Sequence, residues 1–327
     1  MDQIRLSNAT FEGDNNVYLF DGAETVLVDT GDWLPATREQ LSTALGDRGL
    51  GFEDIDRVFL THWHGDHIGL AGVIQEAGGA TVHVHEADAP LVAGDAGAWK
   101  RMSETHERLF EHWRMPESGR ETLRALFESS PSRENAPNVT AFQDGDTFSV
   151  NDRSLEAVHA PGHAAGLCLY ESDGEALTGD ALLPKYTPNV GGADVRVERP
   201  LEQYLDTLER IASRNYDRAW PGHRGVIDEP TARAEAITAH HRERAWRVLD
   251  ALRRLGPTDI WTVSADLFGD LDSIHILHGP GEAYAHLQEL RRADEVRRED
   301  DEYRLADGIA GRLDEHADGD AGEWPLR

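Results

Sequence analysis

Thr61-His62-Trp63-His64-Gly65-Asp66-His67-Ile68-Gly69 puts three imidazoles and a carboxylate into six consecutive positions, directly after the apolar run Val58-Phe59-Leu60. Neutral imidazole and carboxylate are the ligands that zinc and similar cations prefer. A turn leaving a strand aims His62 and His64 at one point and Asp66 and His67 at a neighbouring one. The spacing suits two metals better than one. A surface loop in a chain with 16 histidines is the bland alternative. Four ligand-type side chains in six residues, between a strand-like run and the helix-like residues 70–76, speak against it.

Three further motifs follow in order: Ala160-Pro161-Gly162-His163, Leu177-Thr178-Gly179-Asp180 and Trp220-Pro221-Gly222-His223. Together with the nonapeptide they resemble the signature of the metallo-β-lactamase superfamily, over residues 1–235. The resemblance implies a four-layer αββα sandwich. It also implies that His62, His64 and His163 hold one metal, Asp66, His67 and His223 the other, and that Asp180 bridges them. The cofactor would be two divalent ions, Zn2+ first, with Mn2+ or Fe2+ as alternatives. The reaction implied is hydrolysis by a hydroxide bridging the two metals, with Asp66 as the catalytic residue that also orients it. Asp29, in Asp29-Thr30-Gly31, takes the place of a family Asp that hydrogen-bonds a ligand or its loop; a helix cap or turn is its other role. Asp180 is followed by Leu182-Leu183-Pro184 and Thr187-Pro188-Asn189, a stretch that resembles one branch of the superfamily.

Three positions depart from the family pattern: Ala164 after the middle His, Arg224 after the last His, and Gly69-Leu70 where a glycine pair is common. None removes a ligand, so they bear on substrate rather than on metal. Arg224, facing the cleft, would pair with a carboxylate or phosphate of the substrate; facing away, it would bond helix carbonyls.

With 327 residues the chain has length for one domain of 200-odd residues and a smaller one. Its net charge is −29, from 61 acidic and 32 basic residues, and lysine occurs only at 100 and 185. Such an excess of one sign suits a medium where salt screens the charges, a salt-rich cytoplasm; an acidic protein from a GC-rich genome is the plainer source. Met1–Arg5 lacks the apolar core of a secretory signal and no apolar run has the length of a membrane span, so a cytoplasmic chain without a membrane partner is expected. Cys168, the single cysteine, sits in Leu167-Cys168-Leu169-Tyr170 and reads as a buried structural thiol.

Val17–Phe20 and Thr25–Val28, separated by Asp21-Gly22-Ala23-Glu24, read as a hairpin. Helices are expected over 35–48 and 66–78, and strands over 55–60 and 80–85. Residues 86–137 carry apolar residues at helical spacing and form a helical insertion. In this superfamily such an insertion often walls the substrate cleft, which makes Trp99, Trp113 and Arg114 candidate contacts. Strands resume at 139–142, 147–150, 154–159, 167–170 and 175–178, a helix at 201–213 and a last strand at 218–220. Residues 231–255 read as a long helix, and 258–268, 281–292 and 296–305 as helix, helix and a two-stranded wing, so that residues 236–312 resemble a small winged-helix α+β domain. Residues 313–327 form an acidic tail expected to be disordered. His240, His241, His275 and His278 lie outside the motifs and are not expected as ligands.

Three functions compete. A hydrolase of a small ester, thioester or amide is favoured by the complete ligand set. A metal-dependent endoribonuclease is suggested by the winged-helix resemblance but lacks a basic patch. A non-catalytic sensor or dimerisation protein would have little use for intact ligands. The partner expected is a small molecule. The acidic helix 281–290 suits packing or a homodimer better than nucleic acid.

Overall fold

The computed structural model describes residues 1–8, 13–128, 135–315 and 325–326. In chain order the elements are β1 (Asp2–Leu6), β2 (Asn15–Phe20), β3 (Val26–Val28), α1 (Pro35–Gly46), β4 (Arg57–Phe59), α2 (Gly65–Ile68), α3 (Ala71–Gly78) and β5 (Thr81–His85). Next come α4 (Ala89–Val92), α5 (Ala96–His112), α6 (Glu117–Glu128), β6 (Val139–Phe142), β7 (Thr147–Val150), β8 (Arg153–His159), β9 (Cys168–Ser172) and β10 (Glu175–Gly179). The chain continues with α7 (Pro200–Arg214), β11 (Arg218–Pro221), α8 (Pro230–Leu255), α9 (Ile260–Phe268), α10 (His275–Arg292), β12 (Val296–Glu299), β13 (Glu302–Leu305) and α11 (Ile309–Glu315). No helix among the described residues is long and apolar enough to cross a membrane.

Strand periodicity builds the layers. In β2, Val17 and Leu19 join a core with Leu41 and Leu45 of α1 and Ile74 of α3. Their neighbours Tyr18 and Phe20 face the opposite way, into a core shared with Leu155, Tyr170 and Leu177. Side chains alternate across a strand, so the first sheet, ordered β1-β2-β3-β4-β5-β6, is covered by helices on one face and by the second sheet on the other. The second sheet, β11-β10-β9-β8-β7, repeats the pattern: Tyr170 faces the first sheet, while Leu169 joins Tyr204, Leu208 and Leu249 of α7 and α8. The result is the αββα sandwich, with hairpin β2–β3 paired antiparallel, Tyr18 opposite Val28. Cys168 is buried between the sheets as a free thiol.

The helix expected over 66–78 is broken at Gly69-Leu70. A Cβ on Gly69 would lie 2.3 Å from the backbone of Asp32 and Trp33, and Gly69 N donates to Gly31 O. The chain turns there to let that loop approach. Helix α10 starts at His275, ahead of the expected residue 281, and runs through Pro280. Gly-Pro-Gly looks like a break in sequence. Here Gly281 lets the helix come within 2.3 Å, measured from an added Cβ, of the backbone at Gly192.

The expected domain limits are not limits of packing. The 235/236 boundary falls inside α8, a single 26-residue helix. Leu249, Leu287, Val296 and Tyr303 share one continuous core with Val158, Tyr204 and Leu208. The tail boundary at 313 falls inside α11, where Leu313 is buried; tail residues 316–324 and 327 lie outside the described residues.

Candidate active site

Both sheets end at the same edge, and each ligand motif leaves a strand there. His62, His64, Asp66 and His67 follow β4, His163 follows β8, Asp180 follows β10 and His223 follows β11. Two groups form. The ligand atoms of His62, His64 and His163 lie within 4.8 Å of one another, as do those of Asp66, His67 and His223; a third set, His62, His67 and Asp180, joins them. Asp180 Oδ2 is 3.8 Å from His163 Nε2 and 3.5 Å from His223 Nε2, and its Oδ1 is 3.5 Å from His67 Nε2. All seven motif residues meet in one place, with Asp180 between the two groups.

The outward nitrogen of each imidazole is already engaged. His62 Nδ1 meets Thr61 Oγ1 at 3.0 Å, His64 Nε2 meets Ala193 O at 3.0 Å, and His67 Nδ1 meets Asp29 Oδ2 at 2.8 Å. His163 Nδ1 meets Asn189 O at 2.8 Å and His223 Nδ1 meets Gly13 O at 3.1 Å. In the group of His62, His64 and His163, a proton on each outward nitrogen leaves a bare lone pair on each inward one. Those inward atoms crowd: His62 Nε2 and His163 Nε2 stand 2.9 and 3.1 Å from His64 Nδ1. Nitrogens around one tetrahedral zinc are about 3.3 Å apart, given bonds of about 2.0–2.1 Å. Without a shared cation, lone pairs so close repel.

Electrostatics point the same way. Burial pushes His62 well below its usual range and His64 down to about 4, so both are neutral imidazoles. His67 and His223 shift upward: burial works against the charge, but Asp180 and Asp66 outweigh it, and His67 rises to about 9. Asp66 and Asp180 are themselves held below the usual carboxylate range; burial opposes this, and the surrounding imidazoles prevail. His67 Nε2 and Asp180 Oδ1 are buried with no hydrogen-bond partner. A buried carboxylate pair that draws protons onto its histidines is a cation site by its donor set.

Asp29 takes the supporting place. Its Oδ1 accepts from Thr61 N, and its Oδ2 from Thr61 Oγ1 and His67 Nδ1, each at 2.8 Å. It does so at φ 60, a conformation that non-glycine residues seldom adopt. Residues that motif spacing did not reveal hold the rest. Asn15 Nδ2 donates to Asp66 Oδ2 at 3.2 Å. Trp63 N donates to Asp88 Oδ2 and Trp63 Nε1 to Asp194 Oδ2, both at 3.0 Å. Arg196 joins those two buried carboxylates and lies over the Trp63 ring. Burial, only partly offset by Arg196, raises Asp88 to about 6. Asn189 lay in a stretch the sequence marked, and its carbonyl role has no side-chain signal.

A cleft of ≈ 1870 Å³ opens over the site, walled by insertion residues such as Trp99 and Phe127 and by C-terminal residues such as Phe268 and His278. Of the candidate contacts, Trp99 lines it and packs edge-on against Trp63, with centroids 5.5 Å apart. Trp113 does not: it is fully buried, and its carbonyl accepts from Trp261 N. Its end of the helical stripe is core, while Trp99, Met102 and His106 of the same stripe face the cleft. Arg114 points away from the cleft toward Asp301, 3.9 Å distant. Arg224 lines the cleft with its guanidinium over the Tyr186 ring. His240, His275 and His278 also line it, and His241 is buried beside His286, its Nδ1 3.3 Å from His286 Nε2; none of the four joins the groups around Asp180.

Known proteins place this geometry. Lactamase-like protein aptB of Emericella nidulans is 28% identical over 239 residues, 72% of this chain and 59% of its own length. Atrochrysone carboxyl ACP thioesterase dmxR1 of Cryptosporiopsis sp. is 27% identical over 75% of this chain and 60% of its own. The chain thus spans about six tenths of the length of these relatives. A metallo-beta-lactamase family protein from Thermus thermophilus superposes with TM-score 0.79 at 32% identity, over 93% of this chain and 98% of that one. A beta-lactamase domain protein from Burkholderia ambifaria shares the fold, with TM-score 0.76 at 23% identity over 93% and 92% of the two chains. The metallo-beta-lactamase superfamily model matches residues 10–223, a span that runs through every ligand motif to its last histidine, and the chain belongs to that superfamily.

Proposed function

We propose that the chain is a dinuclear metal-dependent hydrolase of a small ester, thioester or amide, with a thioester as the favoured substrate. The observation that carries this is the convergence of seven ligand-type side chains, their inward atoms facing one another, in the wall of a large cleft. Two divalent cations held by these residues, zinc by the imidazole-rich donor set or else manganese or iron, would lower the pKa of a water and polarise a carbonyl. The chain's own residues then set the geometry. Asp66, its Oδ2 tethered by Asn15, would orient that water toward the carbonyl. Asp29 and Thr61 fix the rings of His67 and His62. Trp63 and Trp99 form an apolar wall that keeps bulk water from the acyl group.

A thioester is favoured because a relative is named as an ACP thioesterase. The acidic surface suits a salt-rich cytoplasm. The C-terminal elements close the cleft and share its core, which fits a packing role better than nucleic-acid contact.

Metal analysis after mild purification should give close to two ions per chain. A panel of thioesters, lactones, a chromogenic lactam and single-stranded RNA should show turnover of a thioester, lost in His64→Ala and Asp180→Ala. RNA cleavage with no acyl hydrolysis would replace this function by the nuclease. Full metal loading with no turnover on any member would favour the sensor.

A further inference from the structure

In a chain with 61 acidic and 32 basic residues, a cation has carboxylates in surplus to pair with. Three cations around one loop of the cleft stand apart from that surplus. Lys185 and Arg224 both lie over the ring of Tyr186, at 5.2 and 4.8 Å from its centroid. Arg233 donates its Nε to Leu183 O at 2.6 Å and one terminal nitrogen to Tyr186 O at 2.8 Å, anchoring the same loop. All three line the cleft that holds His64, Asp66, Asp180 and His223. None is in an ion pair with a carboxylate among the described residues, and Arg224 Nε is buried without a partner.

Two further observations show that Arg224 is built in. Its φ is +65, the left-handed region in which a side chain is strained, and a glycine there would carry no such cost. Strain of this kind persists where the surroundings demand the side chain. Gly13, at φ +114, makes room for it: a Cβ at 13 would lie 3.1 Å from the guanidinium carbon. Tyr186, 46% exposed, supplies an aromatic face that steers both cations without neutralising them. A guanidinium fork and an ammonium on one ring, beside a hydrolytic site in a strongly acidic protein, match an oxyanion.

Resting on the thioesterase function proposed above, we propose that Arg224, just after β11, and Lys185, on the loop anchored by Arg233, form a subsite for an oxyanion on the thiol half of the substrate. Phosphate and carboxylate share that chemistry. The subsite recognises the carrier, and the acyl group lies toward Trp63 and Trp99.

The test compares thioesters with one acyl group and three thiols: coenzyme A, bearing phosphates; glutathione, bearing carboxylates; and neutral N-acetylcysteamine. At the lowest salt that keeps the protein folded, kcat/KM for an anionic thioester should exceed that for the neutral one at least tenfold. Arg224→Gln with Lys185→Gln should bring the ratio to within twofold; the exposed Arg291→Gln serves as control. Taking a ratio cancels general damage to the fold. Calorimetry gives a readout without turnover: free coenzyme A should bind at least tenfold more tightly than pantetheine, and the double variant should lose the difference. The coenzyme A and glutathione arms decide between phosphate and carboxylate. Equal kcat/KM for charged and neutral thioesters overturns the subsite and leaves the thioesterase standing. Equal binding of coenzyme A and pantetheine, together with equal binding of glutathione and its diethyl ester, to the wild-type protein overturns the subsite even where no thioester is turned over, a result that would sink the thioesterase separately.

Discussion

Replacing Gly222 by alanine should disable the site while sparing most of the fold. A Cβ at 222 would stand 2.5 Å from Asp180 Oδ1 and 2.6 Å from His67 Cε1. Ordinary contact begins at 3.4 Å, so the difference from 2.5 Å asks for a shift of about 0.9 Å. The backbone cannot supply it by backing away, because Gly222 N donates to Gly179 O at 2.8 Å and Gly222 O accepts from Asn16 N at 2.7 Å. The ligands must therefore move. Catalytic groups tolerate about 0.5 Å, and a misplacement of about 1 Å costs on the order of a hundredfold in rate. The expected loss is about a hundredfold in kcat/KM, or about 2.7 kcal/mol in the barrier. Overpacking costs about 1–3 kcal/mol of stability, which a chain of this size survives. Gly225→Ala is the matched control, since its Cβ would meet nothing nearer than Arg5 at 4.0 Å. Thioester turnover, metal content and melting of both variants should be measured together. Turnover in Gly222→Ala within threefold of the wild type would show that the two ligands are not held where the structure puts them.

Asp29→Asn should weaken metal binding about tenfold to a hundredfold in chelator competition, because an amide nitrogen cannot accept the proton that Asp29 Oδ2 takes from His67. In the chelated protein, His67 has a folded pKa of about 9 against an ordinary value of 6.5. Its stabilising charge is present below 6.5 and lost as pH rises toward 9, so the melting temperature of the chelated form should fall across that window, and metal should restore more stability at pH 9 than at pH 6.5. Glu282→Gln leaves Arg244 without its buried partner and should cost about 3 kcal/mol in a denaturant titration, a loss that Glu282→Asp should partly rescue. Melting in 0.1, 1 and 3 M potassium chloride, with and without chelator, should climb with salt in both arms, since the Debye length shrinks from about 10 Å at 0.1 M to about 3 Å at 1 M; a flat response would return the −29 charge to an ordinary acidic surface.

The seven ligand-type residues were legible because each lies in a short motif where a strand meets a turn, and such motifs carry their geometry locally. The hairpin and the strand–helix alternation were legible for the same reason. What escaped was assembled across the chain. Asn15 reaches Asp66 from 51 positions away, and Trp63 meets Asp194 across 131, so no spacing announces either. Trp113 misled because an apolar stripe does not say what covers each of its residues: Trp99 walls the cleft, whereas Trp113 is buried against the C-terminal elements. The same burial explains why a boundary at 235 looked natural. Composition shifts there, yet α8 runs through it and packs on both sides of it.

That continuity changes what the C-terminal elements are for. His163 is oriented by the carbonyl of Asn189, and the Asn189 side chain donates to His278 O and to Glu282 Oε2 on α10. Glu282 is held in turn by Arg244 on α8. His64 is oriented by Ala193 O, from the loop whose Gly191 and Gly192 press against α10. Two ligands that leave different sheets therefore depend on one loop, and that loop depends on a helix outside the sandwich. A separable module could be removed and leave the site intact. Here its removal would strip the partner of Asn189, one wall of the cleft and part of the shared core at once, so the site is held by the sandwich together with α8 and α10.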